Sequence, residues 1–316
     1  MGVRTDEVHG RRGGEFAGRD ETLRPQKRDE LTAIALVLPS FFLILIFVYG
    51  FIAWTGYISL TDWRSMIPSY NLVGLRNYAD LFALPRFQAD IRNTVVFSLL
   101  FLPGCTILGL ALAMLIDTGI KRGGAFFQNI YLFPLSLSFV VTGTVWAWIF
   151  NPTAGLNVLL ERIGLGFLRS GWITDPKIAL FSVAMAAVWQ MSGFAMASYL
   201  AGLRGIDNEL REAAKVDGAS EWDTFRHIIL PMLRPVTMSV LVMLGHSSLK
   251  IFDLIFVMTN GGPANATDVP GVYMFVATFR QDLFARGACI AMVMLGMVAL
   301  VIVPYLVRQM RREVSV

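Results

Sequence analysis

Absences narrow this sequence before anything in it is read. In 316 residues there are two cysteines, Cys105 and Cys289, and three histidines, His9, His227 and His246. Each cysteine stands alone in an apolar run, which excludes a disulfide framework and zinc-ligand spacing; both are expected to be small core residues. The histidines lie far apart, without metal-ligand neighbours at i+3 or i+4, and no G-x-S-x-G elbow occurs. No Gly-Lys pair exists anywhere, so the phosphate-cradling G-x-x-x-x-G-K-[ST] loop is missing. The chain is therefore expected to be no enzyme, to hold no metal or cofactor, and to hydrolyse no ATP itself. Charge is scarce as well. Only 16% of residues are charged against 55% hydrophobic, and the mean hydropathy of +0.58 is too high for an ordinary soluble domain. The net charge of +4 is scattered through short segments, not gathered on one face, so no nucleic-acid partner is expected. The lipid bilayer is the expected surroundings.

Long charge-free runs are what the chain has in abundance. Residues 31–61 carry no charge, twice the length of a signal-peptide core and more than the ~20 residues that cross ~30 Å of hydrocarbon. An uncleaved first span over 32–55 follows. Further spans are expected over 93–116, 125–150, 178–203, 236–258 and 287–307. Pro39, Pro103, Pro134 and Pro304 fall inside them, where kinks are expected. Residues 1–30 mix charges and glycines with few large apolar side chains and are expected to be a disordered tail. Residues 31–92 then comprise the first span and an external segment, 93–308 a transmembrane domain, and 309–316 a second tail. Loop charge sets the orientation. Segments 1–30, 117–125, 204–235 and 308–316 hold 17 Lys and Arg, and segments 56–92, 151–177 and 259–286 hold nine. By the positive-inside rule both termini and segment 204–235 are expected in the cytoplasm.

Segment 204–235 is the one long polar interruption of the apolar second half, and it has internal order. Asp207 or Asn208 can cap a helix carrying Leu210, Ala213 and Ala214, and Gly218 falls where a left-handed stop is wanted. Ser220 and Asp223 have capping-box spacing, opening a second helix with Trp222, Phe225 and Ile229 along one face, which Pro231 and Pro235 are expected to end. A helix, a glycine turn and a helix between two membrane-length runs suggests a docking element.

The spacing Glu212-Ala213-Ala214, three residues, Gly218, nine residues, Ile228, one residue, Leu230-Pro231 resembles the cytoplasmic EAA loop of permease subunits in binding-protein-dependent ABC importers. Further stretches look like those of carbohydrate-importing permeases: Thr61 to Trp63, Leu72 to Tyr78 (with Leu72 where Phe is commoner), Pro85 to Phe87, and Thr259 to Ala264. The likeness covers roughly residues 31–308. It implies an all-α, six-span type I ABC importer permease fold in the cytoplasmic membrane of a prokaryote. It also implies a second permease forming a heterodimer, a pair of ATP-binding subunits, an extracytoplasmic solute-binding protein and a sugar substrate. By the same resemblance Glu212, Ala213, Ala214, Asp217, Gly218, Trp222, Phe225, Ile228, Leu230 and Pro231 seat the hairpin on the ATPase. Trp189-Gln190, Ala201 to Asp207 and His246 to Asp253 look closest to glucose and mannose importers.

Polar residues inside spans are candidates for the solute path, since an ionisable side chain facing lipid costs about 3 kcal/mol. His246, Lys250 and Asp253 fall at i, i+4 and i+7 of one expected helix, with Lys250 and Asp253 close enough to pair. Gln190 beside Trp189 offers an amide and an aromatic face to a sugar. Each could equally hold the bundle together. An ion-coupled secondary carrier would use Lys250 and Asp253 but needs no docking hairpin, and a membrane scaffold or receptor needs no polar track.

Overall fold

The structure, a computed structural model, describes residues 27–119 and 123–313. Of the tail expected over residues 1–30, residues 1–26 lie outside the described residues, and residues 27–30 belong to a helix and not to a disordered tail. Among the described residues the fold is all-α, with one isolated β-bridge between Thr61 and Leu72. In chain order the helices are α1 (Lys27–Ile44), α2 (Phe51–Ser59), α3 (Arg76–Ala83), α4 (Pro85–Met114), α5 (Gly124–Leu132), α6 (Phe139–Ile149), α7 (Leu156–Arg162), α8 (Ala179–Arg204), α9 (Asn208–Val216), α10 (Glu221–Thr224), α11 (Leu230–Met232), α12 (Arg234–Leu249), α13 (Asp253–Thr259), α14 (Pro270–Phe275) and α15 (Phe284–Glu313).

The chain divides into two units, one ending at Ile52 and one beginning at Ala53. The first unit contains α1 and a π-turn, Leu45–Gly50, with Pro39 inside α1. In the second, α4 and α8 form the central packed pair. Leu84 is extended, and Pro85 opens α4 at a position where its missing N–H is no loss. The buried side of α8 is built from small residues, with Val183, Ala186, Ala187 and Ala195 fully buried, so neighbouring backbones approach closely. Phe97 and Phe101 stack at 5.3 Å in the same core, and Cys105 is fully buried there. A smaller cluster of Leu81, Phe87, Tyr273, Ala277, Cys289 and Ile290 joins α3, the start of α4, α14 and α15. Asn77 steadies the segment before it by donating to the carbonyls of Ser59 and Thr61 at 2.9 and 2.7 Å.

Among the described residues four helices are long and apolar enough to cross a membrane: Ile34–Ser59, Pro85–Gly119, Ala179–Arg204 and Phe284–Val307. Two bent pairs bring the number to as many as six. Gly124–Ser136 with Phe139–Ile149 turns through 98°, and Glu221–Met232 with Arg234–Leu249 through 63°. The first differs from the straight run read over 125–150, while the second bends ahead of the span read over 236–258. The first bend follows Pro134, where Leu137 is extended and the Ser138 hydroxyl accepts the Val141 amide at 3.2 Å to restart the helix. A buried side chain completes it. Gln190 of α8 donates to the Leu137 carbonyl at 2.8 Å, satisfying a group the bend frees from the helix ladder.

Candidate functional site

The hairpin of α9 and α10 is built by capping. The Asp207 carboxylate accepts the Glu209 amide at 3.0 Å and opens α9. At its end Gly218 sits at φ +81°, its N–H bonding Lys215 O at 3.1 Å while Ala219 N–H reaches Ala214 O at 2.9 Å. That is the Schellman arrangement, and the left-handed residue it needs is the glycine. Ser220 then starts α10 in a capping box, its hydroxyl accepting the Asp223 amide at 3.1 Å while the Ser220 amide reaches the Asp223 carboxylate at 3.3 Å.

The predicted proline stops are placed differently. Pro231 does not end the second helix: a π-turn, Phe225–Ile229, precedes it, and the chain continues helical through Met232 before bending at Leu233. Pro235 sits in the first turn of α12 and begins a helix. A proline needs no i−4 partner, so a π-turn and a helix start are both places that accept it.

Ten residues were expected to work together here. Ala214 is buried, and Phe225, Ile228 and Pro231 are half-buried. Glu212, Ala213, Asp217, Gly218, Trp222 and Leu230 are exposed. Trp222 leans on Phe225, with ring centroids 5.4 Å apart, yet is 64% exposed, and Val216 nearby is 87% exposed. The hairpin thus shows a rigid tip of large apolar side chains within a charged rim.

Beneath the hairpin lies a cavity of about 640 Å³, walled by Met114, Asp117 and Thr118 on one side and by Arg211, Glu212, Lys215, Thr224, Phe225 and Ile229 among others on the hairpin side. Arg211 crosses it. Its guanidinium donates to Asp117 at 2.8 Å and to the Leu203 carbonyl at 3.2 Å, with the two charged side chains 19% and 16% exposed.

The solute-path candidates are not brought together as expected. The helix proposed over 236–258 stops at Leu249 and restarts at Asp253, with Lys250 to Phe252 out of helical geometry. Lys250 and Asp253 therefore share no helical face. Both are exposed, and no ion pair joins them among the described residues. His246 is half-buried on α12, one turn before the break. Gln190 is 2% exposed and committed to Leu137, while its neighbour Trp189 packs edge-on against Trp146 at 5.8 Å.

Sequence reasoning missed a second polar cluster, at the opposite end of α4. Arg86 meets Oδ2 of the fully buried Asp268 through Nε and Nη2, each at 2.7 Å, and lies 4.3 Å over the Tyr273 ring. Asn93 donates to the carbonyls of Asn265 and Asp268 at 2.9 and 3.0 Å. An aspartate three residues before a charge-free run, Asp90, was the available signal.

The pattern that defines inner membrane components of binding-protein-dependent transport systems matches residues 105–315. The chain belongs to this family. As a permease it is 48% identical over 274 residues to a Pyrococcus horikoshii protein described as a probable ABC transporter permease, covering 86% of this chain and 94% of the relative. The xylose/arabinose import permease protein of Haloferax volcanii is 39% identical over 275 residues, 86% of each chain. Among solved structures, a bacterial ABC transporter involved in import of the acidic polysaccharide alginate matches with a TM-score of 0.77 at 26% identity, over 90% of this chain and 96% of that one. The permease is thus a multi-pass membrane component of an ATP-driven prokaryotic importer, with hydrolysis carried by a partner subunit.

Proposed function

We propose that this permease imports a small carbohydrate, and that the α9–α10 hairpin is the seat of its ATPase partner. The observation that carries the second point is the doubly capped hairpin with Trp222 exposed at its tip: a rigid, partly apolar projection flanked by membrane-length helices suits a protein socket. Glu212, Ala213, Asp217 and Leu230 would form the surrounding contact, and Ala214, Phe225, Ile228 and Pro231 would hold its shape. A pentose importer and a polyuronate importer among the similar proteins support a sugar. Within that class the reading is glucose or mannose, resting on Trp189-Gln190 and the stretch from His246 to Asp253. The remaining parts are a second permease, a pair of ATP-binding subunits and an external solute-binding protein. Six spans with the hairpin and both flanking tails in the cytoplasm complete the proposal, supported by the four long helices, the bent pair Gly124–Ser136 with Phe139–Ile149, and the distribution of basic residues. His246, Lys250 and Asp253 are the proposed solute-path groups, since backbone out of helical geometry at a broken span is tolerated where it lines a cavity.

The test is reconstitution. The tagged permease, purified with its bound subunits into proteoliposomes, should take up labelled glucose or mannose only with ATP and binding protein. Xylose uptake at equal rate removes the hexose reading, and uptake driven by an ion gradient without ATP overturns the importer. For orientation, a cysteine at Ser65 should react with an impermeant reagent outside intact cells, and one at Val216 should not.

A further inference from the structure

The helix Pro85–Gly119 is tied at both ends by a charged pair, and neither tie is needed to make it helical. Its 35 residues span roughly 50 Å at about 1.5 Å per residue, the reach of a membrane. At one end Asp117 holds Arg211 of the hairpin at 2.8 Å. At the other, Arg86 holds Asp268 of the loop between α13 and α14, and Asn93 holds two main-chain carbonyls of the same loop. Arg211 is the only hairpin side chain among the described residues with an ion pair to α4 or to the π-turn Leu115–Gly119 that continues it. The hairpin has two further routes into the bundle, the covalent ones through α8 and through α11 into α12, and Arg211 also reaches the α8 end at Leu203.

We infer that Pro85–Gly119 is a connecting rod between the ATPase seat and the outer loop 260–269, with Arg211 and Asp117 as positioning residues at its inner joint. This rests on the hairpin being that seat. The chemistry favours the rod over the covalent routes alone. Arg211 is fixed at two points, a carboxylate and a helix-end carbonyl, so hairpin displacement moves α4 and α8 together. At the far end the fully buried Asp268 carboxylate takes two guanidinium nitrogens of a half-enclosed Arg86, which gives that end little freedom to slip.

The experiment uses the whole transporter in proteoliposomes, purified through a tag on this chain. Ala264→Cys places a reporter thiol in the exposed part of the outer loop; Cys105 and Cys289 are buried and stay. Labelling by an impermeant maleimide is timed with and without ATP and vanadate. In the parent, trapping should change the rate by about fivefold or more. Asp117→Asn should reduce that change to about twofold or less, with as much ATPase retained, and the exchange of Asp117→Arg with Arg211→Asp should recover most of it. A parent loop indifferent to ATP, or an unchanged response in Asp117→Asn, overturns the rod. Loss of the ATPase from Asp117→Asn also overturns it, because the pair would then belong to docking. The hairpin reading fails by a different result: Gly218→Val that still binds its ATPase and hydrolyses at the parent rate.

Discussion

The two ends of α4 carry the same chemistry in opposite settings. At the hairpin end Arg211 and Asp117 are each partly open to solvent and border a cavity of about 640 Å³. At the far end Asp268 is fully buried, its arginine lies flat on an aromatic ring, and Asn93 closes the neighbouring carbonyls. Removing one partner of a buried pair strands a charge at a cost of about 3–5 kcal/mol, whereas a pair that water reaches loses less. The far joint is therefore built as a fixed anchorage. The hairpin joint has room around it, so its loss leaves the helix folded.

The largest expected effect tests the anchorage. Asp268→Ala leaves Arg86 half-enclosed without its carboxylate and should lower thermal stability of the purified permease by about 3–5 kcal/mol, read as a large fall in unfolding midpoint by size-exclusion assay. Asp117→Ala should fall less, by about 1–3 kcal/mol, because the cavity lets water reach the stranded guanidinium. Equal losses would erase the contrast between the two ends.

Glycines sharpen the same comparison. Gly218 and Gly261 have nearly the same backbone, φ +81° and +82°, but a Cβ on Gly218 meets nothing within 4 Å, while one on Gly261 would stand 2.9 Å from the Asp268 carboxylate. Gly218→Ala should cost only the left-handed penalty of about 1–2 kcal/mol. Gly261→Ala should cost that and a displaced Asp268 besides, so its midpoint should fall further, toward that of Asp268→Ala. Similar midpoints for the two alanine variants would show that the outer loop gives way around the methyl group.

Local order was legible in the sequence because it is written in adjacent residues. Ser220, Asp223 and Gly218 state a capping box and a left-handed stop within six positions, and the structure has both. Apolar runs likewise revealed α4, α8 and α15. What could not be read was anything needing a partner distant in sequence. Arg86 and Asp268 are 182 residues apart, and Arg211 and Asp117 are 94 apart, so neither pair has a spacing to recognise. The break at Lys250 was hidden for another reason. Gly245, His246, Ser247, Ser248, Lys250 and Asp253 surround it, but the i, i+4, i+7 spacing of the three ionisable residues fits one face of a continuous helix as well as it fits a break, and hydropathy does not choose between the two. Gln190 shows the same limit: its NH2 donates to a carbonyl freed by a bend 53 residues away, while its Oε1 is buried without a partner among the described residues.

The smallest expected effect separates what the anchorage needs from what it merely contains. Asp90, one turn after Arg86 on α4, is fully buried, and neither carboxylate oxygen has a hydrogen-bond partner among the described residues. It lies against the side chain of Asp268, which already occupies the arginine. Two carboxylates beside one guanidinium leave the second with no donor unless it keeps a proton that Asp268 can accept, and either way the site is costly to bury. Asp90→Asn keeps the shape and supplies an N–H that can donate to Asp268, so the amide should be tolerated or should stabilise by up to about 1 kcal/mol. Asp268→Asn, made in parallel, removes the charge Arg86 needs and should lower the midpoint. Opposite signs for two isosteric changes on touching residues would assign the pairing to Asp268 alone. Equal falls would mean that Asp90 shares the arginine, and that the anchorage is a three-membered cluster.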